Sequence, residues 1–267
     1  MKLDATIVGK ALDLAYDKAV DGVPGVPGME SAEGLAKDYL NDPGSLEDAV
    51  NALIRYQVVK ATASGFVTGL GGLLTLPVAI PANLASIMYL QLQMVAAIAR
   101  MGGHDVRSDR VRAVCYACLC GNAATDILKG AGITIGKKLT EQAIKQLSFD
   151  VILKINRAVG FRLFTKFGQT GVINLGKAIP LVGGVIGGTF DGTTTYAIGR
   201  VARSVFVTGD DPSDEHAEAA DAVDDLSGWL FGEEKRGAAG ERDAFFWGED
   251  EGEPPAKIEE PGWWPRW

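Results

Sequence analysis

The sequence has little of what catalytic and metal sites require. Its 267 residues include two histidines and three cysteines, and the cysteines lie within six positions of one another. That clustering does not fit the disulfide framework of a small secreted protein. His104 is the only imidazole near Cys115, Cys118 and Cys120, so a set of four zinc ligands is missing. We predict that these cysteines pack in a helix, with metal or redox chemistry as the alternative.

No catalytic arrangement can be assembled from the remaining residues. Asp126 and Asp191 lie near apolar stretches, but one acid alone cannot perform paired acid–base chemistry. The segment 130-GAGITIGKKLT-140 fails the phosphate-loop pattern, because Ala131 replaces its first glycine and Lys138 its Ser or Thr. We therefore expect a non-enzymatic protein with no catalytic residue, no metal site and no cofactor.

Acidic residues are scarce in the middle of the chain and concentrated at its end. Residues 55–208 contain 6 acidic and 17 basic side chains, whereas residues 209–267 contain 18 acidic and 5 basic ones. The first 228 residues contain no tryptophan, so all five lie in this acidic tail. Its apolar side chains are too sparse to offset the entropy of ordering, and we predict that 209–267 is mostly disordered.

Charge is absent altogether from residues 61–99, a run long enough to cross a bilayer. Its first half contains Gly and Pro residues that interrupt a helix. Pro77 and Pro81 each remove a backbone donor, so we expect two helical pieces with a break near 75–81. Such pieces would leave backbone groups unpaired in lipid, which favours burial against protein over spanning. A second Gly/Pro-interrupted apolar segment, 178–206, echoes this run and supplies a packing partner.

Helical spacing recurs along the chain, and no run of alternating β-branched residues predicts a strand. The predicted fold is all-α, a compact multi-helix domain with two Gly/Pro-interrupted apolar hairpins. Residues 1–44 would form a first helix, over 4–20, and a linker; 45–208 would form the helical domain and 209–267 the tail. Ser45 and Asp48 predict a capping box at the start of a helix, and Gly102 or Gly103 predicts the end of another helix. Further helices are expected over 107–130 and 138–158.

Cations and large apolar side chains alternate in 154-KINRAVGFRLFTKFG-168. This mixture suits the headgroup boundary of an anionic membrane, and the alternative is a solvated cationic face whose aromatic residues enter the core. Nucleic acid is not expected, because a basic patch is only an electrostatic footprint and the acidic tail would compete. The candidate lipid or membrane contacts are Gly69, Gly71, Gly72, Pro77, Pro81, Lys154, Arg157, Phe161, Arg162, Phe164 and Lys166.

The tail carries aromatic segments that have no folding role in a disordered chain. Aromatic anchors dominate binding hot spots, so we expect these segments to dock a protein partner, with masking of the basic domain as the alternative. The candidate docking residues are Leu226, Trp229, Leu230, Phe245, Phe246, Trp247, Trp263, Trp264 and Trp267.

Three segments together resemble the EcsC family of bacterial proteins: 44-GSLEDAVNALIRYQVVKATASGFVTGLGGLLTLPVAIPANL-84, 99-ARMGGHDV-106 and 179-IPLVGGVIGGTFDGTTTYAIGRVARSVF-206. The resemblance covers about 45–208 and implies an α-helical, membrane-linked bacterial protein with no established reaction. We expect a peripheral membrane-associated or lipid-binding protein; the alternative is a soluble adaptor recruited through its tail. No secretory h-region is visible near the N-terminus, so the expected location is the cytoplasm, with attachment to the inner membrane left open.

Overall fold

The computed structural model describes residues 5–25, 29–70, 72–134, 137–173 and 180–210. Side chains are described over 12–25, 29–63, 87–134, 137–163 and 191–210. All of these residues belong to the first of two compact units of the chain, Met1–Glu233. The tail beyond 210, with every candidate docking residue in it, lies outside the described residues.

The described residues are helical and contain no strand, which confirms the all-α prediction. The helices are α1 (Ala5–Asp21), α2 (Ala32–Leu40), α3 (Leu46–Leu70), α4 (Gly72–Met101), α5 (Asp109–Cys118), α6 (Ala124–Gly130), α7 (Glu141–Lys145), α8 (Phe149–Ile173) and α9 (Pro180–Arg203). A 3-10 turn, Gly121–Ala123, precedes α6, and a π-helical turn, Ser204–Thr208, follows α9.

The start of α3 and the end of α4 are formed as expected. The Ser45 Oγ atom accepts a hydrogen bond from the Asp48 N–H at 3.1 Å, and the Asp48 carboxylate accepts one from the Ser45 N–H at 3.1 Å. At the end of α4, Gly103 adopts a left-handed φ of 88°. The His104 N–H then donates to the Ala99 carbonyl at 3.0 Å, which closes the helix.

The expected break at the prolines is wrong. Helix α4 is continuous from Gly72 to Met101 and includes both Pro77 and Pro81, so the charge-free run divides between Leu70 and Gly72 instead. A proline removes one backbone hydrogen bond from a helix, and the remaining bonds of this 30-residue helix carry it past both positions. Gly71 lies outside the described residues.

Three other expectations need correction. Residues 32–40, expected in a linker, form α2, because Ser31 caps it by accepting from the Gly34 N–H at 3.0 Å. The helix expected over 107–130 is interrupted near Gly121, whose φ of 55° is left-handed. The helix expected over 138–158 divides at Ser148, whose Oγ atom accepts from the Val151 N–H at 3.3 Å and starts α8.

The core is centred on α3, α4 and α9. Helices α3 and α9 form the most extensive contact between any two of the described helices, and both also contact α4. Helices α3 and α9 run antiparallel, because Asn51 contacts Arg203 at one end and Thr62 lies against Gly192 at the other. Glycine permits the close approach: a Cβ atom on Gly199 would lie 2.9 Å from the Ile54 side chain. This confirms, over the described parts, that the second apolar segment packs on the first.

Candidate membrane-contact face of helix α8

Helix α8 has one face in the core and one in solvent. Ile155, Val159 and Leu163 recur at intervals of four residues and are almost fully buried. They anchor the helix, which packs on α1, α5 and α6. An amphipathic helix of this length would normally place polar side chains on the opposite face.

The solvent face of α8 instead carries three large apolar side chains among its polar and charged ones. Phe149 is 71% exposed, Leu153 43% and Phe161 69%. These are three of the five large apolar side chains that are exposed in the described part of the chain, and they follow an i, i+4, i+12 spacing along α8. Exposed apolar side chains of this size cost hydration free energy unless a partner covers them.

Cations accompany the apolar side chains. Lys154 and Arg157 are exposed between Leu153 and Phe161, and Arg157 occupies the i+8 position of the apolar row. Arg162 is exposed at the edge of this face. Against these cations, residues 149–163 contain one acid, Asp150. We call Phe149, Leu153, Lys154, Arg157 and Phe161 the α8 contact face.

The sequence-based candidates divide into three groups. Lys154, Arg157, Phe161 and Arg162 lie together on the exposed part of α8, and Phe161 does not enter the core. Phe164 and Lys166 belong to the same helix, but their side chains lie outside the described residues. The remaining candidates lie near the α3–α4 junction: Gly69 in α3, Gly72, Pro77 and Pro81 in α4, and Gly71 outside the described residues.

Sequence reasoning missed Phe149 and Leu153. Both fall within the helix expected over 138–158, and neither is among the candidate contacts predicted from the sequence. The signal that identifies them is the four-residue spacing from Phe149 through Leu153 and Arg157 to Phe161. That spacing becomes visible once α8 is known to start at Phe149.

The cysteines serve packing in the described structure. Cys115 and Cys118 are buried in α5. Burial raises the pKa of the Cys115 thiol to about 12 and raises that of Cys118 well above its ordinary value, so both stay protonated at neutral pH. Within the described ranges, no three His, Cys, Asp or Glu side chains are grouped to hold a metal ion.

His104, the imidazole nearest the cysteines in the sequence, is 1% exposed at the end of α4. Its ring centroid lies 5.1 Å from that of Phe206 in the π-helical turn. Burial lowers the His104 pKa, and the nearby Lys138 cation lowers it further, while Glu141 and the Phe206 backbone oppose the shift. The imidazole is therefore neutral at neutral pH and packs as part of the core.

None of the described helices combines the length and the apolar character that a membrane crossing needs.

The sequence profile of the EcsC protein family matches residues 31–208, about two thirds of the chain. The match ends where the helical domain was expected to end, at 208, and starts earlier than expected, so that it includes α2. No curated protein and no solved structure gives a significant match.

Proposed function

The chain belongs to the EcsC protein family, and from this premise we propose that it binds anionic membrane surfaces peripherally, without catalysis, through the α8 contact face. The observation that carries this proposal is the exposure of Phe149, Leu153 and Phe161 beside Lys154 and Arg157. Apolar side chains can enter the headgroup region while the cations stay at the level of the lipid phosphates.

Charge supports an anionic partner. The helical region 55–208 has an excess of eleven cations, and acids are rare around the α8 contact face. Each Lys or Arg near an anionic surface contributes about 1 kcal/mol to binding, and this contribution falls within a Debye length. A water-exposed row of Phe and Leu adds an apolar contribution that salt does not screen.

Vesicle flotation tests the proposal. Full-length protein is mixed with vesicles of phosphatidylglycerol and phosphatidylcholine, or of phosphatidylcholine alone, at low and at high NaCl. We expect flotation with the anionic vesicles at low salt, weaker flotation at high salt, and little with phosphatidylcholine alone. Absence of flotation with anionic vesicles at low salt would refute the proposal.

The Gly- and Pro-containing candidates near the α3–α4 junction suggest a different lipid contact, a lipid held between the two apolar hairpins. The side chains of 64–86 and 164–190 that would line such a site lie outside the described residues, so this stays a prediction. Lipid extraction and mass spectrometry of the purified protein distinguish this internal lipid site from surface contact, because a lipid held between the hairpins co-purifies in a stoichiometric amount.

A second candidate function is recruitment of a protein partner through the tail. What favours it is the confinement of all five tryptophans to residues 229–267, within a strongly acidic segment. Removing 211–267 tests it: loss of a partner that co-purifies with the full chain supports docking, whereas stronger vesicle binding by the truncated chain supports masking of the basic domain.

A further inference from the structure

Helix α1 occupies a groove on the rest of the helical domain. It packs on α2, α4 and α8, and its side chains also contact α5. Five of its side chains form a continuous apolar stripe that is buried in this groove: Leu12, Ala15, Tyr16, Ala19 and Val20. This is the arrangement of an amphipathic helix bound in an apolar groove.

Three carboxylates of α1 pair with three partners on or just before α5. The Tyr116 hydroxyl donates to Asp13 at 2.8 Å, and the Arg112 guanidinium contacts Asp17 at 2.9 Å. Arg107 completes the series by contacting Asp21 at 2.9 Å. The acids recur every four residues along α1, and the residue numbers of their partners decrease in the same order. We call these three pairs the ladder.

The ladder fixes both the direction and the register of α1. A helix bound in the opposite direction, or shifted by one turn, would lose at least one of the three pairs. Each exposed ion pair contributes little to affinity on its own, but matched charges select one alignment over others. The apolar stripe therefore provides the attraction, and the ladder provides the specificity.

Tyr16 joins the stripe to the ladder. Its hydroxyl donates to the Val106 carbonyl at 2.8 Å, and its ring meets the Tyr116 ring edge-on, with centroids 5.4 Å apart. The Arg112 guanidinium lies 5.0 Å from the Tyr16 ring centroid, within cation–π range. A tyrosine at this position is thus recognised by three separate groups of the groove.

The groove is formed by residues inside the family match, whereas α1 precedes the match. The family match begins at residue 31, after α1 has ended. Between them lies a connection that contains Gly25, which is exposed and has a φ of 78°. A Cβ atom added at Gly25 would meet no neighbouring atom within 4 Å, so the chain is open to solvent there. Helix α1 therefore lies outside the matched residues and covers a surface of the matched domain.

We infer that the groove between α4, α5 and α8 is a docking site for an acidic amphipathic helix, and that α1 is its exchangeable occupant in cis. A partner helix would carry carboxylates at i, i+4 and i+8 beside an apolar stripe with a tyrosine. Such a helix, presented by another protein, would compete with α1 for the same groove.

Native cleavage of the full chain tests the inference. A protease recognition sequence is inserted after Gly25, an exposed loop position that tolerates insertion. After cleavage, a fluorescein-labelled peptide of residues 1–25 is added, and its binding is followed by anisotropy at low and at high salt. We expect the labelled peptide to exchange with the cleaved α1 and to bind more weakly as salt increases.

Variants of the peptide distinguish specific recognition from non-specific apolar binding, and they leave the fold of the protein unchanged. Replacing Asp13, Asp17 and Asp21 together with Asn should weaken binding about tenfold, from two ion pairs and one part-buried hydrogen bond. Replacing Lys18 with Gln is the matched control, because Lys18 is exposed on the same helix and lies outside the ladder; its affinity should not change.

Three results would overturn the inference. The first is a cleaved α1 that never exchanges with the peptide, and the second is a loss of circular dichroism from the domain when α1 leaves. The third is equal affinity of the triple Asn peptide and the wild-type peptide. The first two would make α1 an integral core helix, and the third would remove the ladder as a recognition element.

Discussion

Replacing Arg157 with Gln and Phe161 with Ser removes one cation and one apolar side chain from the α8 contact face. Both side chains are exposed, Phe161 by 69%, so the substitutions remove no core contact. Loss of the cation should cost about 1 kcal/mol at an anionic surface. Loss of the ring should cost about 1–2 kcal/mol, because the ring enters the interface only in part. Together these amounts weaken binding by about 30- to 150-fold.

The matched control lies on α1. Leu14 is 61% exposed, and Lys18, four residues later, is also exposed. Like Arg157 and Phe161, the two residues are one cation and one large apolar side chain spaced by four positions, but here the apolar residue comes first. The double variant Leu14→Ser with Lys18→Gln should bind vesicles like the wild type. Both variants are titrated with phosphatidylglycerol vesicles in a sedimentation assay, and urea unfolding confirms that each is folded.

Two results would refute this prediction. Unchanged affinity of the Arg157→Gln, Phe161→Ser variant would remove α8 as the contact surface. Equal losses in the α8 and α1 variants would mean that the vesicles bind any exposed apolar–cationic pair, and not one defined face.

Further predictions concern stability and reactivity. Gly199→Ala should lower the free energy of unfolding by about 1–3 kcal/mol, because its Cβ would press on Ile54, whereas Gly160→Ala, with no neighbour within 4 Å, should be neutral or stabilising in urea titrations. Folding lowers the His104 pKa, so its contribution to the free energy of unfolding is fully present above its ordinary pKa of about 6.5 and is lost as the pH falls below that value. In urea titrations from pH 8 to 5, His104→Gln should make this loss of stability smaller. An unchanged dependence of stability on pH would contradict the prediction. In the native protein a thiol reagent should modify the partly exposed Cys120 faster than the buried Cys118, and all three cysteines should react at similar rates after unfolding.

Local signals predicted much of the fold. The helical periodicity of 4–20 anticipated α1, and the Ser45–Asp48 pair located the start of α3 because a capping box depends on neighbours within one turn. Prolines were less informative: Pro77 and Pro81 were expected to divide a helix that is in fact continuous. Their effect depends on how the surrounding helix is held, and a single sequence does not contain that information.

The candidate site was only partly visible in the sequence. The cations and Phe161 were identified from their alternation, but Phe149 and Leu153 were not, because either could have pointed into the core. Which side of α8 is buried depends on its packing against α1, α5 and α6, and these contacts are distant in sequence. For the same reason the ladder between α1 and α5 could not be predicted, since two of its pairs join residues 95 and 103 positions apart.

The proposed function requires direct contact between the exposed face of α8 and the membrane. An environment-sensitive fluorophore attached to a single introduced cysteine at position 153 or 161, in a Cys120→Ser background, reports on this contact. We predict a blue shift with anionic vesicles and quenching by spin-labelled lipid at both positions, and neither effect at exposed Leu40 on α2. No spectral change at 153 and 161, or an equal change at 40, would contradict it.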